Sequence, residues 1–342
     1  MIFRRDIMKK VCVLGTGSWG TALALSLAKN NFDVLMWSRR KERAESINKN
    51  RENTEYLPGA TFPDNLNVTD DLDEAVKDSK IVVLAVPSQA VRGMCVKLKG
   101  KLTPDQIIVN VAKGLEKGTG KRLSEVCAEE LPDSKYVMLS GPSHAEEVAK
   151  DLPTTIVVSS EDIEYAQIVQ DAFMSPALRV YTNSDLIGVE LGGALKNIIA
   201  FGAGICDGLG YGDNTKAALM TRGITEISRL GIAMGAKAIT FTGLSGIGDL
   251  IVTCTSMHSR NRRAGILIGE GYSVEETLEK VKMVVEGITA TEVAHDVAEK
   301  LGIDMPITNA IYAVVHDGLE PYEGIKGLMT RNKKNEVEHI GL

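Results

Sequence analysis

No two of the five cysteines, Cys12, Cys95, Cys127, Cys206 and Cys254, form a C-x-x-C pair. Their odd number and scattered placement argue against a disulfide framework and point to reduced thiols in a cytoplasmic protein. The five histidines, His144, His258, His295, His316 and His339, contain no H-x-x-x-H spacing, so no metal site is expected. G-x-S-x-G is absent too, which leaves a serine hydrolase poorly supported. Positive charge is not in excess: a net charge of -6 argues against a general nucleic-acid binder, although a local basic patch can still hold phosphate. Repeats, low-complexity tracts and linkers are missing. The basic start MIFRRDIMKK is followed by no apolar stretch long enough for a signal peptide. Residues 1–8 are expected to be a disordered extension, with Met8 an alternative start. From Arg331 the tail RNKKNEVEHIGL is polar and is expected to fray, which sets 331–342 apart.

What is present is ordinary in bulk: 342 residues, 44% hydrophobic and 25% charged, enough for two domains with a sizeable core. One long apolar run stands out, LIGVELGGALKNIIAFGAGI, from Leu186 to Ile205. Its strongly polar residues are Glu190, Lys196 and Asn197, and a run with no polar face reads as a buried helix. Gly188 and Gly192 form a GxxxG, but three polar groups are costly in lipid, so no membrane span is expected. At helical spacing Lys196 shares its face with Gly192, Gly193, Ala200 and Ala203, which leaves room for a ligand beside it. Burial favours a neutral lysine and makes Lys196 a candidate acid, base or electrostatic clamp; a structural ion pair in the core is the competing reading.

The N-terminal half alternates strands and helices. Val11–Leu14 is apolar and partly β-branched, and ends in Gly15-Thr16-Gly17-Ser18-Trp19-Gly20, ahead of an amphipathic stretch at 22–29. This is G-x-G-x-x-G between a strand and a helix, the context that gives the motif weight. Gly15 permits the tight turn, Gly17 lets the backbone approach a pyrophosphate, and Gly20 lets helix and strand pack closely. The free N–H groups of the helix start then face the phosphates. The next strand, Asp33–Trp37, ends in Ser38-Arg39-Arg40, where an NAD site usually carries an acidic residue for the ribose 2′-hydroxyl. Two guanidiniums suit a 2′-phosphate, so NADP is expected over NAD, with NAD left open. Apolar runs at 81–86, 107–111 and 136–139 end at loops carrying Lys113, Ser143 and His144. Further strands are expected at 154–159 and 178–181, with a helix at 163–173.

Beyond Asn183 the pattern turns helical. Asp213 or Asn214 is expected to cap a helix over 215–230. A second glycine-rich turn runs from Gly243 to Gly248 and ends in Asp249, a candidate partner for Lys196. The cluster Ser259-Arg260-Asn261-Arg262-Arg263 makes a good anion site, with a solvated basic helix start as the alternative. The expected fold is α/β, an N-terminal Rossmann-like, mostly parallel sheet at 9–185 with a C-terminal all-α domain at 186–330. The expected roles are dinucleotide binding in the first and substrate binding in the second. A homodimer is open to it, since twofold dimers are the commonest assembly.

Several stretches together resemble bacterial NAD(P)-dependent glycerol-3-phosphate dehydrogenases. These are GTGSWGTALA (15–24), AVPSQAVR (85–92), AKGLE (112–116), SGPSHAEEV (140–148), the long run at 190–223, GLSGIGDL (243–250), HSRN (258–261) and VVEG (284–287). The resemblance spans residues 9–330. It implies reduction of dihydroxyacetone phosphate to sn-glycerol 3-phosphate for phospholipid synthesis, with Lys196 as proton donor or acceptor. It puts substrate at Lys113, Gly141, Ser143, Lys196, Asp249, Ser259, Arg260 and Asn261. It puts cofactor at Ser18, Trp19, Arg39, Arg40, Lys113, Ala145, Arg260, Val284 and Glu286, beside the loop glycines. His144 stands where such proteins often carry an aromatic, a departure that bears on pH dependence rather than on the reaction. A hydroxyacid dehydrogenase of similar architecture and a non-catalytic NADP sensor are the alternatives; the basic cluster disfavours the first and Lys196 beside small residues the second.

Overall fold

A computed structural model describes residues 10–336. The expected extension at 1–8, the alternative start at Met8, His339 and residues 337–342 of the tail lie outside the described residues. The chain divides into two compact units: residues up to Ala112 together with Leu123–Leu186, and Lys113–Arg122 together with the chain from Ile187. Residues 113–122, within the expected first domain, therefore belong to the second unit.

The first unit is built on an eight-stranded sheet in the order β3-β2-β1-β4-β5-β6-β7-β8. The strands are β1 (Lys10–Leu14), β2 (Asp33–Trp37), β3 (Leu66–Thr69), β4 (Ile81–Leu84), β5 (Ile107–Asn110), β6 (Lys135–Ser140), β7 (Thr154–Ser159) and β8 (Leu178–Asn183). All neighbours are parallel except β6 and β7. β3 was not legible in the pattern, since LNVT is short and half polar. Continuous apolar runs in β1, β4 and β5 follow from burial on both faces. On one face Val11 and Val13 pack against α1 (Ser18–Lys29), α2 (Lys41–Asn50), α6 (Ala145–Ala149) and α7 (Ile163–Phe173). On the other, Cys12 and Leu14 pack against α3 (Leu72–Val76), α4 (Val91–Leu98) and α5 (Leu123–Glu130). Strand order reverses between β1 and β4, and Gly15 leaves β1 at that point, where open α/β sheets bind ligands.

The second unit is helical around α8 (Leu186–Gly208), of which every residue from 188 to 206 is buried. It is the one helix among the described residues long and apolar enough to cross a membrane, and it is a core helix. The others are α9 (Asp213–Ala233), α10 (Asp249–Thr255), α11 (Arg260–Gly269), α12 (Val274–Val281), α13 (Glu286–Leu301), α14 (Pro306–His316) and α15 (Pro321–Met329). The cap expected at Asp213 or Asn214 is instead Gly212, without a side-chain bond, because the helix begins earlier, at Asp213. A π-helical turn, Leu244–Gly248, leads into α10. The space expected beside Lys196 at Gly192 is filled by this turn: a Cβ on Gly192 would stand 2.6 Å from the Ser245 carbonyl oxygen. Only glycine admits that approach, which brings the head of α10 to the turn of α8 that carries Lys196. Gly204 and Gly265 do the same for α8 and α11, where a Cβ on Gly265 would lie 2.0 Å from the Phe201 carbonyl oxygen. At the start of the polar tail Arg331 and Lys334 both reach Asp304 at 2.9 Å.

Candidate active site

The second unit buries a cluster of charge. Lys196 Nζ donates to Asp249 Oδ1 at 2.6 Å and to Thr253 Oγ1 at 2.6 Å. Lys113 Nζ donates to the other oxygen, Asp249 Oδ2, at 2.7 Å. The three members from α8 and α10 are almost wholly enclosed, with Asp249 only 1% exposed. Thr253 lies one helical turn after Asp249, and its hydroxyl donates a hydrogen bond to the Asp249 carbonyl oxygen at 2.6 Å. Its hydroxyl therefore faces Lys196 as an acceptor. Two of the three ammonium N–H groups of Lys196 are thus committed, and no third acceptor is bonded to it among the described residues.

Burial pushes the Lys196 pKa down to about 8; the Lys113 charge adds to that, and Asp249 and Glu286 oppose it. For Asp249 burial alone would raise the pKa, but attraction by Lys113 and Lys196 outweighs it and holds the carboxyl below its usual range. The arrangement is an ionised carboxylate between two ammonium groups, one of them poised to give up its proton near neutrality.

A second network holds the head of α11. Ser259 caps that helix, its hydroxyl accepting from the Arg262 N–H. Asn261 bonds inside the unit, donating to Asn197 Oδ1 at 2.8 Å and accepting from the Gly287 N–H at 2.8 Å. Asn197 in turn donates to Glu286, the first residue of α13, at 3.4 Å. Arg262 pairs with Asp207 at 2.7 Å. Of the basic run, Arg260 is half-buried and has no ion-pair or hydrogen-bond partner among the described residues. Val284 is exposed and Glu286 half-buried.

In the first unit, Gly15 takes a φ of +124°, and a Cβ there would meet the Ala85 carbonyl oxygen at 2.4 Å. Gly20 is pressed against Gly15 in the same way. Gly17 differs: nothing lies within 4 Å of where its Cβ would stand. The Trp19 indole N–H is buried without an acceptor among the described residues. An open cradle over Gly17, an unspent buried donor and the free N–H groups at the head of α1 fit a dinucleotide pyrophosphate. Ser18 Oγ is turned away to the Tyr56 carbonyl oxygen at 2.7 Å. Arg39 is exposed, and Arg40 sits 3.5 Å from Glu55, which also binds Arg43. Gly141 has a φ of +112° and accepts from Ser143 Oγ at 2.9 Å; Ala145 is the buried first residue of α6.

Of the residues singled out in the sequence, the structure joins Lys113, Lys196 and Asp249 in one cluster. Ser259, Asn261 and Glu286 fall in the network beside it. Thr253, Glu55 and Arg122 were missed, as was the pairing of Arg122 with Glu190 (2.8 Å); Glu190 and Asn197 were marked only as polar breaks in the apolar run. Thr253 left a signal in its position one turn after Asp249.

Profiles described as NAD-dependent glycerol-3-phosphate dehydrogenase N-terminus and C-terminus match residues 10–166 and 185–326. A Clostridium acetobutylicum protein named glycerol-3-phosphate dehydrogenase [NAD(P)+] is 57% identical, covering 96% of this chain and 99% of that protein. One of the same name from Pelotomaculum thermopropionicum is 56% identical, covering 97% and 96%. The crystal structure of glycerol-3-phosphate dehydrogenase from Coxiella burnetii superposes with a TM-score of 0.92 at 38% identity, covering 95% of this chain and all of that one.

Proposed function

The chain belongs to the NAD-dependent glycerol-3-phosphate dehydrogenase family and has NAD(P)-dependent glycerol-3-phosphate dehydrogenase activity, and from that premise we propose that Lys196 is its general acid and base. The substrate pair is dihydroxyacetone phosphate and sn-glycerol 3-phosphate, and the product feeds glycerophospholipid synthesis in the cytoplasm. A bound nicotinamide supplies the hydride that reaches the carbonyl carbon during reduction. Negative charge then builds on the carbonyl oxygen, and the third N–H of Lys196 stabilises it and delivers the proton. Proton transfer of this kind contributes about 10²–10⁴-fold. Asp249 and Thr253 aim the ammonium, and Lys113 keeps Asp249 ionised. In the reverse direction neutral Lys196 takes the hydroxyl proton, which a pKa of about 8 allows.

Arg260, with the Ser259 hydroxyl and the head of α11, is assigned to the substrate phosphate. Asn261 shapes that anchor through Asn197 and Gly287. Binding a remote phosphate fixes the carbonyl for reaction. Gly141 and Ser143 complete the proposed substrate contacts. Gly15, Gly17, Ser18, Trp19, Gly20, Ala145, Val284 and Glu286 hold the cofactor, and Arg39 and Arg40 favour NADP while leaving NAD acceptable. The observation that carries the reading is the buried Lys196 with one N–H left to give.

Absorbance at 340 nm, with dihydroxyacetone phosphate and either NADPH or NADH, tests it. Fast oxidation, faster with NADPH, supports both assignments. Equal rates withdraw the cofactor preference. No oxidation from a folded, NADPH-binding sample refutes the reaction, and activity indifferent to the substrate phosphate favours a hydroxyacid dehydrogenase.

A further inference from the structure

Lys113 does not lie on a helix. It opens a hairpin, 113–122, in which Leu115 pairs with Arg122 and Glu116 N–H donates to the Lys121 carbonyl oxygen at 2.9 Å. Something must hold this hairpin so that Lys113 meets Asp249. At its tip Lys117 pairs with Glu292 of α13 at 2.9 Å, but Lys117 is 58% exposed, and exposed pairs contribute little. At its base Arg122 Nη1 pairs with Glu190 Oε2 at 2.8 Å, with side chains 13% and 4% exposed. Breaking a buried pair is far more consequential. Glu190 lies on α8, the helix that carries Lys196, so one rigid element holds the proton-transferring ammonium and the anchor for its neighbour.

We propose that Glu190 is a positioning residue: through Arg122 it pins the hairpin to α8 and so keeps Lys113 on Asp249. This rests on the role given above to Lys196. Lys196 faces Asp249 on α10, Lys113 on the hairpin and Glu286 on α13. Lys113 repels it and draws charge from Asp249, and both effects ease its proton away. When the hairpin slips, Asp249 serves Lys196 alone, and Lys196 holds its proton to higher pH.

The test is the pH profile of kcat in both directions for the wild type, Glu190→Gln, Lys113→Ala and the double variant. In the wild type, reduction falls and oxidation rises as Lys196 deprotonates, near pH 8. In Glu190→Gln both limbs move up by about one pH unit, so oxidation at pH 7.5 drops about tenfold. Lys113→Ala shows the same shift, and the double variant adds nothing to it. Arg122→Lys, which keeps the buried charge pair, gives a smaller shift in the same direction and serves if Glu190→Gln fails to fold. Limbs that stay in place in the folded variants, whatever happens to Tm, overturn the positioning role. A wild type with no limb near pH 8 would instead refute the role of Lys196.

Discussion

Gly17 in the first unit and Lys196 in the second prepare for ligands in opposite ways. Gly17 offers open space and main chain: nothing lies within 4 Å of its missing Cβ. Lys196 offers one charged atom, fixed by Asp249 and Thr253 at 2.6 Å each. A main-chain cradle depends on backbone path, so it is damaged by added bulk and hardly by changes of charge. A buried charge cluster depends on side-chain balance, so it is damaged by removing one member even at constant volume. The contrast matches the two roles proposed for them, since a pyrophosphate needs only convergent N–H groups, whereas proton transfer needs a group with a tuned pKa.

The largest expected effect comes from taking one charge out of the cluster. Asp249→Asn deprives the buried Lys196 and the half-buried Lys113 of the carboxylate they share. A destabilisation of about 3–5 kcal/mol is expected in urea unfolding. Burial and Lys113 then drive the Lys196 pKa below about 8, so reduction at neutral pH loses its proton donor and kcat falls by about 10²-fold or more. Wild-type turnover in this variant breaks the contrast.

Glu226 crosses the comparison, a buried side chain of the second unit held by main chain. It accepts from the Ile307 and Thr308 N–H groups at the head of α14. Burial pushes its pKa up to about 7, and those N–H groups only partly offset the rise. The folded protein therefore binds this proton more tightly than the unfolded chain. The stability it contributes is present below pH 4.5 and lost as pH climbs from 4.5 to about 7, by about 3 kcal/mol in all. Urea midpoints across that range should show the decline, and Glu226→Gln should flatten it.

Gly15→Ala probes the cradle. Its Cβ would meet the Ala85 carbonyl oxygen at 2.4 Å, at a φ of +124°. Strain of about 1–3 kcal/mol is expected to weaken NADPH binding about tenfold, read by fluorescence titration. The pH limb set by Lys196 should not move. Smallest is Glu55→Gln, which frees Arg40 and Arg43 from an exposed carboxylate. Such pairs contribute up to about 1 kcal/mol, so NADPH should bind up to about fivefold tighter and NADH unchanged. Equal gains for both cofactors would remove Arg40 from 2′-phosphate recognition.

Much of this was legible in the chain because it is written in local spacing. The glycine loop is six consecutive residues between a strand and a helix, and α8 announces itself by an apolar run broken at Glu190, Lys196 and Asn197. The pairing of Lys196 with Asp249 across 53 residues was raised from the sequence and is present, but the other contacts were not legible, because each closes a long loop: Lys113 to Asp249 spans 136 residues and Arg122 to Glu190 spans 68. Asn261 shows the same limit from the other side. Its place in a basic run suggested a phosphate ligand; the run gave no sign that its amide also bonds Asn197 and the Gly287 N–H. Gly192 suggested room for a ligand, and the Ser245 main chain occupies it. Composition and spacing report which residue types are available at a site, not which of them are already spent on one another.

The division of labour is tested most directly by measuring NADPH affinity and kcat on one preparation of Lys196→Ala. An NADPH Kd within about twofold of wild type and a kcat lower by about 10²–10⁴-fold are expected. A kcat within tenfold of wild type, or a loss of NADPH affinity as large as the loss of turnover, would contradict that division.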